Sequence, residues 1–334
     1  MKLRSAGAAL LFATSACSGQ PIPSGLTEPI AVHDAQFISG ALPGTAAPQG
    51  DNPKLVAPTT TLSDFPVLGV KAGQSDISFS GHASHEGNPV AIAVQLKDAG
   101  SGYWLLPLGS PDPANQNDLQ WNDLTIDFSI GAPVGERDLL FDAIDANGHG
   151  GTQADVPFCI DSAIPDNRNA CAPEKQPPAL VVELSWDTPV DLDLKVVLPG
   201  GAIIDAKHPS YPAKGGPQPG GDGTVPPGPD TTGAYIDTDS NANCVIDGVQ
   251  RENLVYWQKP PAGTYVVYAD LFDACGQPTV SFTVTPYVSR PGKPDSDGTP
   301  TFKVVPLQST SGTLVAQNAD TGTALGTFVT ELKE

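Results

Sequence analysis

The sequence lacks most of the short signatures that mark catalytic and nucleic-acid-binding chains. No C-x-x-C pair occurs, which argues against a thiolate zinc site or a thioredoxin-like redox centre. There is no G-x-S-x-G elbow to expose a serine nucleophile. No Walker-type loop is present, and no G-x-G-x-x-G opens a helix, so nothing cradles a nucleotide phosphate. No segment keeps a period of about 3.6 over the length of a helix. Positive charge is scarce: 17 Lys and Arg stand against 37 Asp and Glu, a formal charge of −20. Such a surface repels nucleic acid and anionic headgroups, and it favours solubility and cation binding.

The N-terminus has no apolar run of membrane-spanning length. Ala6 to Ala13 follows Lys2 and Arg4 and falls well short of the roughly 20 residues a spanning helix needs. A basic start, a short apolar stretch and small residues form the layout of a secretory signal. The segment Thr14-Ser15-Ala16-Cys17 resembles the lipobox of bacterial lipoproteins, although Thr14 stands where Leu is usual. That resemblance implies a cleaved signal peptide over 1–16, lipidation of Cys17, and a tether over 17–25. Cleavage at a nearby Ala-x-Ala-like site, giving a plain secreted protein, is the alternative. Losing Lys2 and Arg4 takes the charge from −20 to −22. The expected location is the cell envelope, with a lipid anchor in the outer membrane and the chain facing the periplasm or the cell surface.

Setting Cys17 aside leaves Cys159, Cys171, Cys244 and Cys275. An even set in an exported chain reads as disulfides, with three pairings open in principle. Proximity in sequence favours Cys159–Cys171 and Cys244–Cys275.

What is abundant is turn chemistry. The chain holds 35 Gly and 35 Pro without a collagen-like period, while aromatic and β-branched clusters run throughout, a loop-rich all-β composition. Alternating stretches SDISFSG, NPVAIAVQL, LTIDFSI and RDLLFDAID fill a first unit, 26–163, as expected of short antiparallel strands in a sandwich. Its phrase LLFDAIDANGHGG, with a hairpin signal at Asn147-Gly148, resembles the late strands of bacterial immunoglobulin-like domains. A polar, Pro-rich linker occupies 164–178. The second unit, 179–334, opens with ALVVELSWDTPVDLDLKVVLPGG. There Leu192, Leu194, Val196 and Leu198 share one strand face, and Asp191, Asp193 and Lys195 point the other way. Further strands are expected at NLVYWQ, TYVVYADLF, TVSFTVTPYV, TFKVVPL, GTLVAQ and ALGTFVTEL, with a solvated Pro/Gly-rich insertion over 213–233. The fold class is therefore all-β: two β-sandwiches in series, the first immunoglobulin-like, the second jelly-roll or sandwich-like.

Three phrases in the second unit occur in a telling order: LSWDTPVDLDLKVVLPGG, AYIDTDSNANCVIDGVQRENLVYW and PPAGTYVVYADLFDACG. They resemble an uncharacterised β-sandwich family of bacterial envelope proteins and lipoproteins, with a W-D-x-x-x-D-x-D-L strand, an acidic D-x-D loop and a P-x-G-x-Y strand. The resemblance spans roughly 179–288; it implies a secreted binding or scaffold module and no established enzymatic activity. It also implies cysteines in the acidic loop and after the P-x-G-x-Y strand, in support of Cys244–Cys275.

The acidic loop DTDSNANCVIDG raises the question of a metal. Read from Asp239 it gives D-x-N-x-N with Ile246 eighth, but Cys244 stands sixth where an EF-hand needs Gly, and Gln250 stands twelfth where it needs Glu. A calcium site shared by Asp191, Asp193, Asp237 and Asp239 is the remaining metal reading; turn-capping by these aspartates is the competing one. His82, His85 and Glu86 in GHASHEG are candidate zinc ligands, though in the order H-x-x-H-E rather than H-E-x-x-H and between two expected strands, where a polar turn is the better reading. Tyr103, Trp104 and Trp121 are candidates for a carbohydrate platform, or else core residues. The expectation is a non-catalytic envelope module with a protein or glycan partner, no nucleic acid, and calcium as its candidate ion. The alternatives are an accessory carbohydrate-binding protein and, behind it, a metallohydrolase.

Overall fold

The structure is a computed structural model that describes residues 25–44, 57–64, 69–109, 118–212, 228–319 and 326–333. The signal segment, Cys17 with the rest of the tether through 24, and insertion residues 213–227 lie outside the described residues. Strands dominate what is described; the 3-10 turns Ala242–Cys244 and Ala316–Asn318 are its only helical elements.

The alternating stretches of the first unit become two facing sheets. One has the spatial order Ile30–Val32, Asp118–Phe128, Ile77–Ser84, Thr60–Asp64. The other runs Gln36–Ser39, Gly102–Pro107, Pro89–Leu96, Gly135–Asp145, Ala154–Asp161, Gly69–Lys71. The period of two puts Ile77, Phe79 and Ala83 on one inner face and Ile92, Val94 and Leu96 on the other, in a single core. Burying each such large side chain contributes about 1.5–3 kcal/mol, so the alternation itself selects the sandwich. At Asn147-Gly148 the chain turns as expected. Gly148 takes a φ of +83°, its N–H donates to the Asp145 carbonyl at 3.0 Å, and Asp145 Oδ1 accepts the N–H groups of Asn147 and His149.

The stretch expected as a linker is an ordered knot. Buried Asp166 accepts the N–H groups of Arg168 and Ala170 at 2.9 and 3.1 Å. Asn169 donates to the carbonyls of Pro173 and Lys175, and a Cys159–Cys171 disulfide holds its start.

The second unit also has two sheets. Ser210–Tyr211, Ala234–Ile236, Arg251–Tyr256, Leu180–Trp186, Thr279–Pro291 and Phe302–Pro306 lie in that order, with Thr310–Val315 also paired to Thr279–Pro291. Opposite them run Ile203–Ile204, Asp191–Val197, Thr264–Asp273 and Thr327–Lys333. Leu180, Val182, Leu184 and Trp186 meet Leu192, Leu194, Val196, Tyr265 and Val267 across the core. The second disulfide joins Cys244 to Cys275 with their Cα atoms 5.5 Å apart. Arg251 reaches back to the first unit, donating from Nη1 to the Ala163 carbonyl at 3.1 Å.

Candidate metal centre

The strand that opens the second unit's smaller sheet has a problem at one edge. Asp191–Val197 pairs with Thr264–Asp273 along its length, but on its other side only Val196 and Val197 find a partner, in Ile203–Ile204. A sheet edge left bare presents backbone donors and acceptors that must be satisfied or covered. The loop 237–250 and its following strand supply the cover. Asn241 Nδ2 donates to the Val190 carbonyl at 3.0 Å, the Leu194 N–H donates to Glu252 Oε2 at 2.7 Å, and the Asn243 N–H donates to Asp191 Oδ2 at 2.7 Å.

The loop can do this because its sequence suits left-handed backbone. Asn241, Asn243 and Cys244 have φ of 61, 52 and 60°, a region asparagine tolerates better than most residues. Asp247 ties the turn, accepting from Ser240 Oγ at 3.0 Å and from the Val249 N–H at 2.8 Å. The Asp247 N–H in turn donates to Asn241 Oδ1 at 3.0 Å. The side chain of Asn241, the first asparagine of the D-x-N-x-N pattern, is thus spent on the fold. The loop joins strands through a 3-10 turn, so nothing of an EF-hand's helical frame surrounds it.

Three carboxylates converge beneath this cover: oxygens of Asp191, Asp193 and Asp239 all lie within 4.8 Å of one another. Asp191 and Asp193 are 2% and 8% exposed, Asp239 opens to solvent, and Glu252 is fully buried at 0%. Burial pushes Asp193 up to about 7, and the charges of Asp191, Asp239 and Asp270 add to the effect against a weaker pull from Lys195. Asp191 is pushed up to about 6, again chiefly by burial, with Asp239 and Asp273 adding to it while the N–H groups of Asn243 and Cys244 oppose. Glu252 is held well above the usual carboxylate range by burial and then by Asp193. Lys195 is bonded to Asp270. Among the described residues, no donor hydrogen-bonds to the Asp193 carboxylate and no cation pairs with it.

Not every candidate reaches this cluster. Asp237, expected as a fourth ligand, stands apart: its two oxygens accept the N–H and Nδ2 of Asn253, each at 2.9 Å. The strand before it ends at Ile236, so the period of two that would align it with Asp239 stops one residue too early. Glu252, outside the three-carboxylate group but packed against it, was overlooked in the sequence. Its signal was available: it shares a strand face with Leu254 and Tyr256, both core residues, and a carboxylate at a core-facing position demands a reason. The aspartates of the opening strand do face away from Leu192 and Leu194 as expected, but that face is covered, not solvated.

The positions of the other candidates decide between their competing readings. Trp121 stacks on Phe141 inside the first core, ring centroids 5.4 Å apart and 15° from parallel. Trp104 is buried too, donating from Nε1 to the Ile30 carbonyl at 2.8 Å, and Tyr103 packs beside Ala91, Ala93 and Ile144. No carbohydrate platform is formed by these three. His82 is half-buried on the Ile77–Ser84 strand, while His85 and Glu86 lie exposed in the turn after it. They are not among the described groups whose ligating atoms come within 4.8 Å of one another, so the proposed zinc set does not assemble.

Clefts of about 850, 620 and 610 Å³ open elsewhere, the largest between the two sandwiches beside Trp186, Arg251 and Phe282. None of the three is lined by Asp191, Asp193 or Asp239.

Fold and site together define an all-β protein of two disulfide-bearing sandwiches with a carboxylate cluster buried at a sheet edge. The chain matches no family model and no curated protein.

Proposed function

We propose that the chain is an exported, non-catalytic module of the bacterial cell envelope, lipid-anchored through Cys17, that binds or scaffolds a protein or glycan partner and carries a structural cation in its second sandwich. The observation that carries this reading is that Cys159, Cys171, Cys244 and Cys275 all sit in disulfides, a state that belongs to oxidising compartments. The signal-like start, the lipobox-like Cys17 and the ordered W-D, D-x-D and P-x-G-x-Y phrases support it. Among the described residues no helix is long and apolar enough to cross a membrane. That none of the three clefts described above is lined by the acidic cluster supports a non-catalytic role.

The test is expression of the full chain with its own leader in a diderm bacterium, followed by radiolabelled palmitate and membrane fractionation. Label in the wild type and its loss in Cys17→Ala, with the variant released to the soluble periplasm, is the expected result. Unlabelled protein in the cytoplasm with all five cysteines titrating as thiols sinks the reading.

A further inference from the structure

We infer that Asp191, Asp193 and Asp239 are the protein ligands of a calcium ion that pins the 237–250 loop onto the bare edge of the Asp191–Val197 strand, with the buried carboxyl of Glu252 as the floor beneath them. The inference deepens the reading above and rests on it in one respect, since a weak calcium site fills only outside the cytoplasm.

Two independent observations point to a cation. The first is geometry. Oxygens sharing one calcium at about 2.3–2.6 Å lie at most about 5 Å apart, and the three carboxylates satisfy that limit with all separations inside 4.8 Å. All the donors are hard oxygens, which suit calcium or magnesium and not zinc or copper. The second is Asp193. It is more than nine-tenths buried, its carboxylate meets those of Asp191 and Asp239, and among the described residues it has neither hydrogen-bond donor nor ion-pair partner. A buried carboxylate without compensation is costly, and removing a carboxylate from water is tolerated only when a counter-charge or donors replace the water. Lys195 is already committed to Asp270. A divalent ion at the focus of the three side chains supplies the missing charge. The exposed side of Asp239 leaves room for the waters that complete six to eight oxygens.

Glu252 acts at one remove. Each of its oxygens accepts one backbone N–H, from Leu194 at 2.7 Å and Ser240 at 3.3 Å. It thereby fixes the strand that carries Asp193 against the loop that carries Asp239, and it is a positioning residue, not a ligand.

The experiment uses the purified mature chain, stripped with chelator, and calcium chloride or magnesium chloride as the probe, read by calorimetry of binding and of unfolding. Calcium at about 100 times its Kd raises the unfolding temperature of the second sandwich by roughly 5–10 °C, and magnesium at the same concentration does much less. Asp193→Asn abolishes the calcium shift. Because it removes an uncompensated charge, the variant folds at least as stably as metal-free wild type, so the loss is not one of folding. Glu252→Gln weakens calcium by about 10–100-fold without abolishing it, and it moves the pH at which binding is lost. A calcium titration without heat or shift overturns the inference, as does a shift that survives in Asp193→Asn or one that magnesium reproduces in full. Failure of export leaves this titration readable, and a flat titration leaves the palmitate result standing.

Discussion

Raising the pH on metal-free protein should weaken the second sandwich, and calcium should restore it. Asp193 moves from an ordinary 3.8 to about 7 and Asp191 from 3.8 to about 6 in the folded state. The folded chain therefore holds protons that the unfolded chain has released, and stability falls as pH rises. Below pH 3.8 both states carry the protons and the cost is absent; above about pH 7 neither does, and the cost is complete. Each pH unit is worth about 1.4 kcal/mol, so Asp193 alone accounts for about 4 kcal/mol and Asp191 for about 3 kcal/mol. Each figure contains the repulsion between the two, which makes the combined loss nearer about 5 kcal/mol. In a domain of this size that is a fall of roughly 10–20 °C. The groups facing Asp193 are Asp191, Asp239 and Asp270, with Lys195 the one cation, and Glu252 faces it from the opposite sheet. Glu183 and Asp237 in the same sandwich also have raised values from burial, so the slope alone is not diagnostic. The diagnostic quantity is the part that millimolar calcium or Asp193→Asn removes. Asp187, held below the usual range by Thr188 first, acts below pH 4 and leaves this window alone. Scanning calorimetry from about pH 4.5 to 7.5, with chelator, with calcium and with Asp193→Asn, reads it directly. A metal-free transition that does not move with pH, or one whose slope survives Asp193→Asn unchanged, refutes the electrostatic account.

Two further predictions concern the scaffold. Trp121→Ala removes the ring stacked on Phe141 and should cost the first sandwich about 3–5 kcal/mol; a lowered first calorimetric transition with an unmoved second one is the expected trace. Replacing Cys244 and Cys275 together by serine opens a loop spanning a sequence separation of 31, with an expected loss of about 3–4 kcal/mol from chain entropy. The same double variant should bind calcium more weakly than wild type in a titration, because the loop that carries Asp239 then loses its anchor.

The fold was legible because it is written in alternation. Stretches such as NPVAIAVQL and TYVVYADLF appear as the strands Pro89–Leu96 and Thr264–Asp273, and turn residues such as Asn147-Gly148 sit where the chain reverses. Both cysteine pairings followed proximity. The site was legible only in part. Asp191 and Asp193 came from a period of two that holds inside a strand, but Asp237 and Asp239 lie past a strand's end, where that period has no force. Which of the two turns toward Asp193 depends on Asn253 holding Asp237, a contact between residues 16 apart. Glu252 escaped because an isolated charged residue in a strand reads as solvent-facing unless the register of its neighbours is already known. The tryptophans fell to the core reading, but their partners were not legible: the stack of Trp121 on Phe141 joins two different sheets, and no local pattern reveals that pairing.

The bare strand edge beneath the 237–250 loop has a consequence for the chain's life before it is finished. While the disulfide is unformed and the carboxylates uncompensated, Asp191–Val197 has nothing to hold its cover down. It then offers the unpaired backbone of Asp191 to Lys195, Leu192 and Leu194 included, to any neighbouring copy. Lateral strand addition between copies is the route to aggregation that natural sheets guard against. Oxidation of Cys244 and Cys275 together with ion capture closes that route, so the second sandwich becomes safe at high concentration only after both events.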